Sequence, residues 1–154
     1  MTALLGLSAR LATARLLVVT DARAKAGDLG SFAASAFDGG ADIVQLADPA
    51  LRPEAELAAL KTLRAAALPR KRLVAATSDA DLAGEFGADL LVLLDDRSSA
   101  ARARRRLHRW ALVGRSCRTP RAIDAALADP DVAFLILTAD LDAVRHAAAA
   151  APQG

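Results

Sequence analysis

Three carboxylates, Asp79, Asp95 and Asp96, fall just after two apolar runs that read as strands. Acidic side chains on neighbouring strand-end loops could hold Mg²⁺, which takes hard oxygen ligands. The alternative use is helix capping and surface charge. Cys117 stands between Arg115 and Arg118, cations that favour a thiolate. His108 and His146 have no metal-type spacing and no carboxylate pattern around them in sequence. Arg102, Arg105, Arg106 and Arg109 recur at i, i+3, i+4 and i+7, which on a helix makes one basic face. Between Arg97 and Arg121 lie nine arginines and no acid. That field suits an acidic partner or a phosphate. Apart from Trp110 no aromatic is interleaved, which weakens the case for nucleic acid. The chain contains no Walker loop, no G-x-G-x-x-G and no G-x-S-x-G.

The elements that position these residues alternate. Thr2 to Ala14 reads as a helix within an N-terminal segment 1–14, with Leu4, Leu7 and Leu11 on one stripe. It is suited to packing on a sheet or covering an open end. Apolar runs at Leu16–Thr20, Ile43–Leu46, Arg72–Ala76, Leu90–Leu94, Trp110–Val113 and Val132–Thr138 read as strands, the first as one buried on both faces and the third as shorter and weaker. Helices are expected over Leu29–Asp38 with Asp28 as cap and Phe32 and Ala36 inward. Others follow from Pro53 to Leu68, Asp79 to Phe86, Ser99 to about Arg109, Arg121 to Ala128, and Leu141 to Ala150. Gly39-Gly40 and Gly87 suit helix ends, and Thr119-Pro120 suits a start. Alternating β and α units with short connections imply a parallel sheet with right-handed crossovers. Residues 1–154 read as one α/β domain of about six βα units.

Composition fits this picture. A hydrophobic fraction of 54% with 25% charged residues supports a packed core, and with four Phe, one Trp and no Tyr that core must be aliphatic. A net charge of +2 is too small to imply nucleic acid on its own. One cysteine excludes an internal disulfide and a cysteine zinc site. No apolar run reaches a membrane span, and the N-terminal segment lacks the pattern of a signal peptide. A cytoplasmic location without membrane contact is the expectation.

Pattern alone allows an open doubly wound sheet or part of a (β/α) barrel, and the full barrel takes eight units. Several motifs bear on the choice. Arg15-Leu16-Leu17-Val18-Val19-Thr20-Asp21, Asp38-Gly39-Gly40-Ala41 and Ile43-Val44-Gln45-Leu46 resemble the first βαβ unit of the thiamine phosphate synthase and thiazole tautomerase (TenI) family. Ala80-Asp81-Leu82-Ala83, Gly87-Ala88-Asp89-Leu90 and Gly114-Arg115-Ser116 continue the resemblance in order, and it covers about Arg15 to Leu137. It implies a truncated TIM-barrel-like sheet, similar to the first six units of that fold. It also implies edges at strands one and six, so that the first helix covers strand six or two chains associate there.

The resemblance implies a thiamine-biosynthesis ancestry, with substrate-binding roles for Gln45, Thr77 and Ser116, Ser116 being the candidate catalytic residue. Metal roles fall on Asp79 and Asp96, with Mg²⁺ as the implied cofactor. The family's pyrophosphate-holding cations, however, fall on Ala47 and Pro49, with Asp48 between them. Its histidine after strand four falls on Val92, and its phosphate glycines after strand six fall on side-chain-bearing residues. These replacements imply a binding or scaffold module without catalysis. The alternatives are an active transferase joining a pyrimidine pyrophosphate to a thiazole phosphate, or a binder of a phosphate ligand. A homo-oligomer through the sheet edge and an acidic partner at Arg102, Arg105, Arg106 and Arg109 are the expected associations.

Overall fold

The structure is a computed structural model that describes residues 6–77, 79–94, 97–138 and 140–152. Seven helices and six strands alternate among them: α1 (Leu7–Thr13), β1 (Leu17–Thr20), α2 (Leu29–Asp38), β2 (Ile43–Leu46), α3 (Pro53–Ala67), β3 (Leu73–Ala76), α4 (Ala80–Phe86), β4 (Leu90–Leu93), α5 (Ala100–Arg104), β5 (Leu112–Cys117), α6 (Pro120–Ala128), β6 (Phe134–Leu137) and α7 (Leu141–Ala150). All strand pairs are parallel, and each strand lies beside its sequence neighbours in the order β1 to β6. A doubly wound sheet reverses its order at a switch point. This sheet never does, so it is the arc of a (β/α) barrel, and the open-sheet alternative falls away.

The two faces of the arc differ because strand side chains alternate. Val44, Leu46, Val74, Ala76, Leu91, Leu93 and Val113 point outward into a large core with Phe37, Leu60, Leu63 and Phe86 of the surrounding helices. Ile43, Leu73, Ala75, Leu90 and Val92 point inward. There Leu7 and Leu11 of α1 pack with Leu17, Phe134 and Ile136, so α1 sits on the concave face. It does not pair with β6, whose backbone edge away from β5 has no strand beside it among the described residues. Asp42 ties the strand starts together. Its carboxylate accepts the N–H groups of Arg15 (2.8 Å) and Leu16 (3.1 Å) and bonds Arg72. Those amides, and then Arg72, hold its pKa below the usual carboxylate range.

Several element ends differ from the sequence reading, each for a local reason. Asp28 does not cap α2. Its carboxylate is taken by Arg23 at 2.6 and 2.9 Å. The inner face of α2 is Leu29, Ala33 and Phe37, with Ala36 packed beside them, whereas Phe32 lies under the Arg23 guanidinium. Asp79 is not the first residue of α4 but its cap, accepting from the Leu82 N–H. α5 ends at Arg104, so the four arginines do not share a helix face. Continuing the helix would stack like charges at i, i+4, at about 0.2–0.5 kcal/mol per pair. Instead the Arg104 guanidinium turns back to the carbonyls of Ala111 and Arg109. The backbone at Arg106 presses onto α4, where a side chain on Gly84 would meet the Arg106 carbonyl at 2.4 Å.

β5 is also displaced. Trp110 is outside it and 66% exposed, while Gly114, Arg115, Ser116 and Cys117 lie within it. Gly114 has a packing reason of its own: a Cβ there would lie 2.2–2.5 Å from the Phe134 ring.

Candidate functional site at the strand ends

In a (β/α) barrel, chemistry gathers where strands end and helices begin. The residues expected there fall into three separate places. Gln45, on the inner face of β2, is only 3% exposed. Its amide nitrogen donates to Thr77 Oγ1 at 2.8 Å, across the β2–β3 pair. Its Oε1 is buried with no hydrogen-bond partner among the described residues. An orphaned buried acceptor costs roughly 1–3 kcal/mol, so this atom is suited to a donor brought by a ligand.

Ser116 is half-buried on β5 and does not meet that pair. It borders a pocket of about 400 Å³ with Leu94, Arg115, Arg118, Thr119 and Ala122. Arg115 is buried, and its Nη2 donates to the Ser98 carbonyl at 2.6 Å. The Thr119 hydroxyl caps α6. The pocket thus combines two guanidinium groups, two hydroxyls and the Asp129 carboxylate with an apolar wall.

Asp79 lies in a third place, a pocket of about 350 Å³ that also takes in Asp81, Arg97, Ser98, Ser99 and Arg102. One carboxylate oxygen already accepts from Leu82 at 2.8 Å. Asp95 and Asp96 lie outside the described residues. Among the described residues no three acidic, histidine or cysteine side chains are grouped to hold a metal. Asp79 beside two arginines is not by itself a donor set for Mg²⁺, and no step is derived through that ion.

The β1–β2 end is built differently. The Asp48 carboxylate accepts the N–H of Ala22 at 3.1 Å and of Ala50 at 3.2 Å, stapling the loop after β1 to the loop after β2. Arg23, the nearby cation, is committed to Asp28, whose pKa it lowers through their hydrogen bond. The site that the resemblance reserves for pyrophosphate cations therefore holds a carboxylate with a structural task.

Other candidates take ordinary places. Cys117 is 1% exposed, and burial pushes its thiol pKa up against the weaker opposing pull of Arg115. The expected activation by arginines is thereby corrected. Each histidine does have a carboxylate partner, Asp89 at 3.1 Å for His108 and Asp124 at 2.7 Å for His146, both partly exposed. Sequence could not supply these pairs, because they join separate elements. It also missed the Asp48 staple and the Arg115 contact, which depend on loops meeting across strands.

A parallel arc with its polar side chains at the strand ends defines a protein of the (β/α)-barrel class. The comparisons narrow this. The family model described as "Thiamine monophosphate synthase" matches residues 16–137, and the chain belongs to that family. It is 39% identical to the thiamine-phosphate synthase of Saccharopolyspora erythraea over 84% of this chain and 60% of the relative. It is 37% identical to that of Thermobifida fusca over 94% of this chain and 72% of the relative. The chain spans about three fifths of the length of the first of these. Among solved structures it resembles thiamine phosphate pyrophosphorylase from Pyrococcus furiosus, with a TM-score of 0.69 and 20% identity, covering 86% of this chain and 62% of that one. That last likeness speaks to the fold alone. None of the described helices is long and apolar enough to cross a membrane.

Proposed function

We propose that this chain is a binding or scaffold module of the thiamine monophosphate synthase family that does not carry out the synthase transfer. The observation that carries the reading is the Asp48 staple. A carboxylate bonded to two backbone amides occupies the loop where cations would have to neutralise a leaving pyrophosphate. Ala47 and Pro49 beside it supply no charge. The retained Gln45–Thr77 pair, with its free buried acceptor, supports binding of a small polar ligand on the concave face.

The test is to incubate the protein with pyrimidine pyrophosphate, thiazole phosphate and Mg²⁺ and follow product formation. No turnover is expected. Turnover that disappears in Asp96→Ala would overturn the reading and favour an active transferase. A second reading, a binder of a phosphate-bearing ligand, is supported by the pocket at Arg115, Ser116 and Arg118. Titration calorimetry with inorganic pyrophosphate, on wild type and Arg118→Ala, separates it from the first. The edges of β1 and β6, with no strand beyond them among the described residues, support self-association as part of the scaffold reading. A monomer in sedimentation with rapid amide exchange along Phe134–Leu137 would count against that.

A further inference from the structure

The opposite end of the arc, where the strands begin, carries a feature that a purely structural floor does not need. Residues at this end of a barrel ordinarily serve stability. Trp110 instead stands 66% exposed just before β5. The Arg109 guanidinium lies over its ring, 4.5 Å from the centroid. The loop beneath is fixed. Arg104 reaches the carbonyls of Ala111 and Arg109, the Trp110 N–H meets His108 Nδ1 at 3.3 Å, and His108 Nε2 meets Asp89. The platform is therefore organised before anything binds, which lowers the cost of binding. Beside it lies a hollow of about 270 Å³ bordered by Ser8 of α1, Arg104, Arg109, Trp110, Pro130 and Asp131.

We propose that this surface docks an acidic protein segment bearing one apolar side chain. The apolar side chain enters the hollow against Trp110, and the carboxylates meet Arg109 and the exposed Arg105. Charge complementarity selects the partner: Arg104, Arg105 and Arg109 stand in the segment leading to Trp110, against a single acid, Asp131, on the border of the hollow. Tryptophan and arginine are the residue types that most often dominate interface energy. Arg102 and Arg106 face elsewhere, Arg102 in the pocket with Asp79 and Arg106 on Asp81 at 3.0 Å. Nucleic acid fits less well, because one indole offers no successive stacking platform. The inference is independent of whether the strand-end site is catalytic, since it concerns the other end of the molecule.

Trp110 is the chain's one tryptophan, so its fluorescence reads this surface directly. The probe is an acetylated twelve-residue peptide of glutamate with one central leucine. A saturable fluorescence change is expected, weakened at least ~tenfold by Arg109→Glu and by Arg105→Glu, and weakened when the leucine is replaced by serine. Arg52→Glu makes the same charge change at the far end, where Arg52 precedes α3, and is expected to leave affinity within ~twofold. Far-UV circular dichroism confirms that each variant is folded. No response at millimolar peptide, or an equal loss with Arg52→Glu, would overturn the proposal. So would tighter binding to a DNA duplex or to phosphatidylglycerol vesicles at the same salt.

Discussion

At the ends of β1 and β2, polar side chains are spent on one another. Asp48 staples two loops through backbone amides, and Arg23 is held by Asp28. At the ends of β3 to β5 polar groups border open space, even where Asp79 and Thr119 also cap helices. Ser116, Arg118 and Thr119 border one pocket, and Asp79, Arg97 and Arg102 border another. One rim has become framework while the other keeps room for a ligand. A barrel fold allows one sector of its loops to serve as framework and another to stay open while the sheet below is the same.

The comparison can be broken most forcefully under the open rim, where α4 and the connection after α5 touch. Gly84→Ala drives a methyl into the Arg106 carbonyl and is expected to cost about 3 kcal/mol, read as a lower urea midpoint. A silent substitution would show that this support is slack. Next, Asp48→Ala on the closed rim is expected to cost about 2 kcal/mol, because two amides lose a charged acceptor. Ser116→Ala on the open rim should change stability by less than about 0.5 kcal/mol. If the two melted alike, the division between framework and open rim would be wrong. Gln45→Met removes an orphaned buried oxygen and should raise stability by about 1 kcal/mol. A loss would mean that the amide is satisfied in solution.

The smallest effect is on the Arg23–Asp28 pair. Asp28 has its pKa lowered in the folded state. Its contribution is therefore present above the ordinary carboxylate value of about 3.9 and disappears as pH falls through the folded value. The melting temperatures of wild type and Asp28→Asn should differ at pH 6 and converge as the pH falls through the lowered folded value. A difference that persisted in acid would assign the effect to something other than this charge.

Much of the scaffold was legible because periodicity and punctuation agreed. Leu29–Asp38, Ile43–Leu46 and Leu141–Ala150 stand where the pattern put them, with Pro53 and Pro120 at helix starts and Gly87 in the left-handed cap that ends α4. Legibility failed where a side chain had two possible partners. Asp28 could cap a helix or pair with Arg23, and only the folded loop decides between them. Arginines 102 to 109 matched a helical period, but the contact at Gly84 and the turn made by Arg104 ended the helix early. Trp110 extended an apolar run in sequence and yet lies outside the strand. The site was less legible than the fold. Gln45 and Thr77 were both named, but their bond is a product of the β2–β3 register. Asp48 read as a charge of the wrong sign, and its staple needed the loop after β1 to arrive beside it.

The strictly sequential strand order has a kinetic consequence. Every sheet contact joins a strand to the next one along the chain, so no pairing waits for distant segments to find each other. Each pairing still has to close a crossover helix, but assembly can begin at any adjacent pair and spread. The interior strands are then gripped from both sides, while β1 and β6 are gripped from one. Brief opening of the native state should start at these two outer strands and work inward.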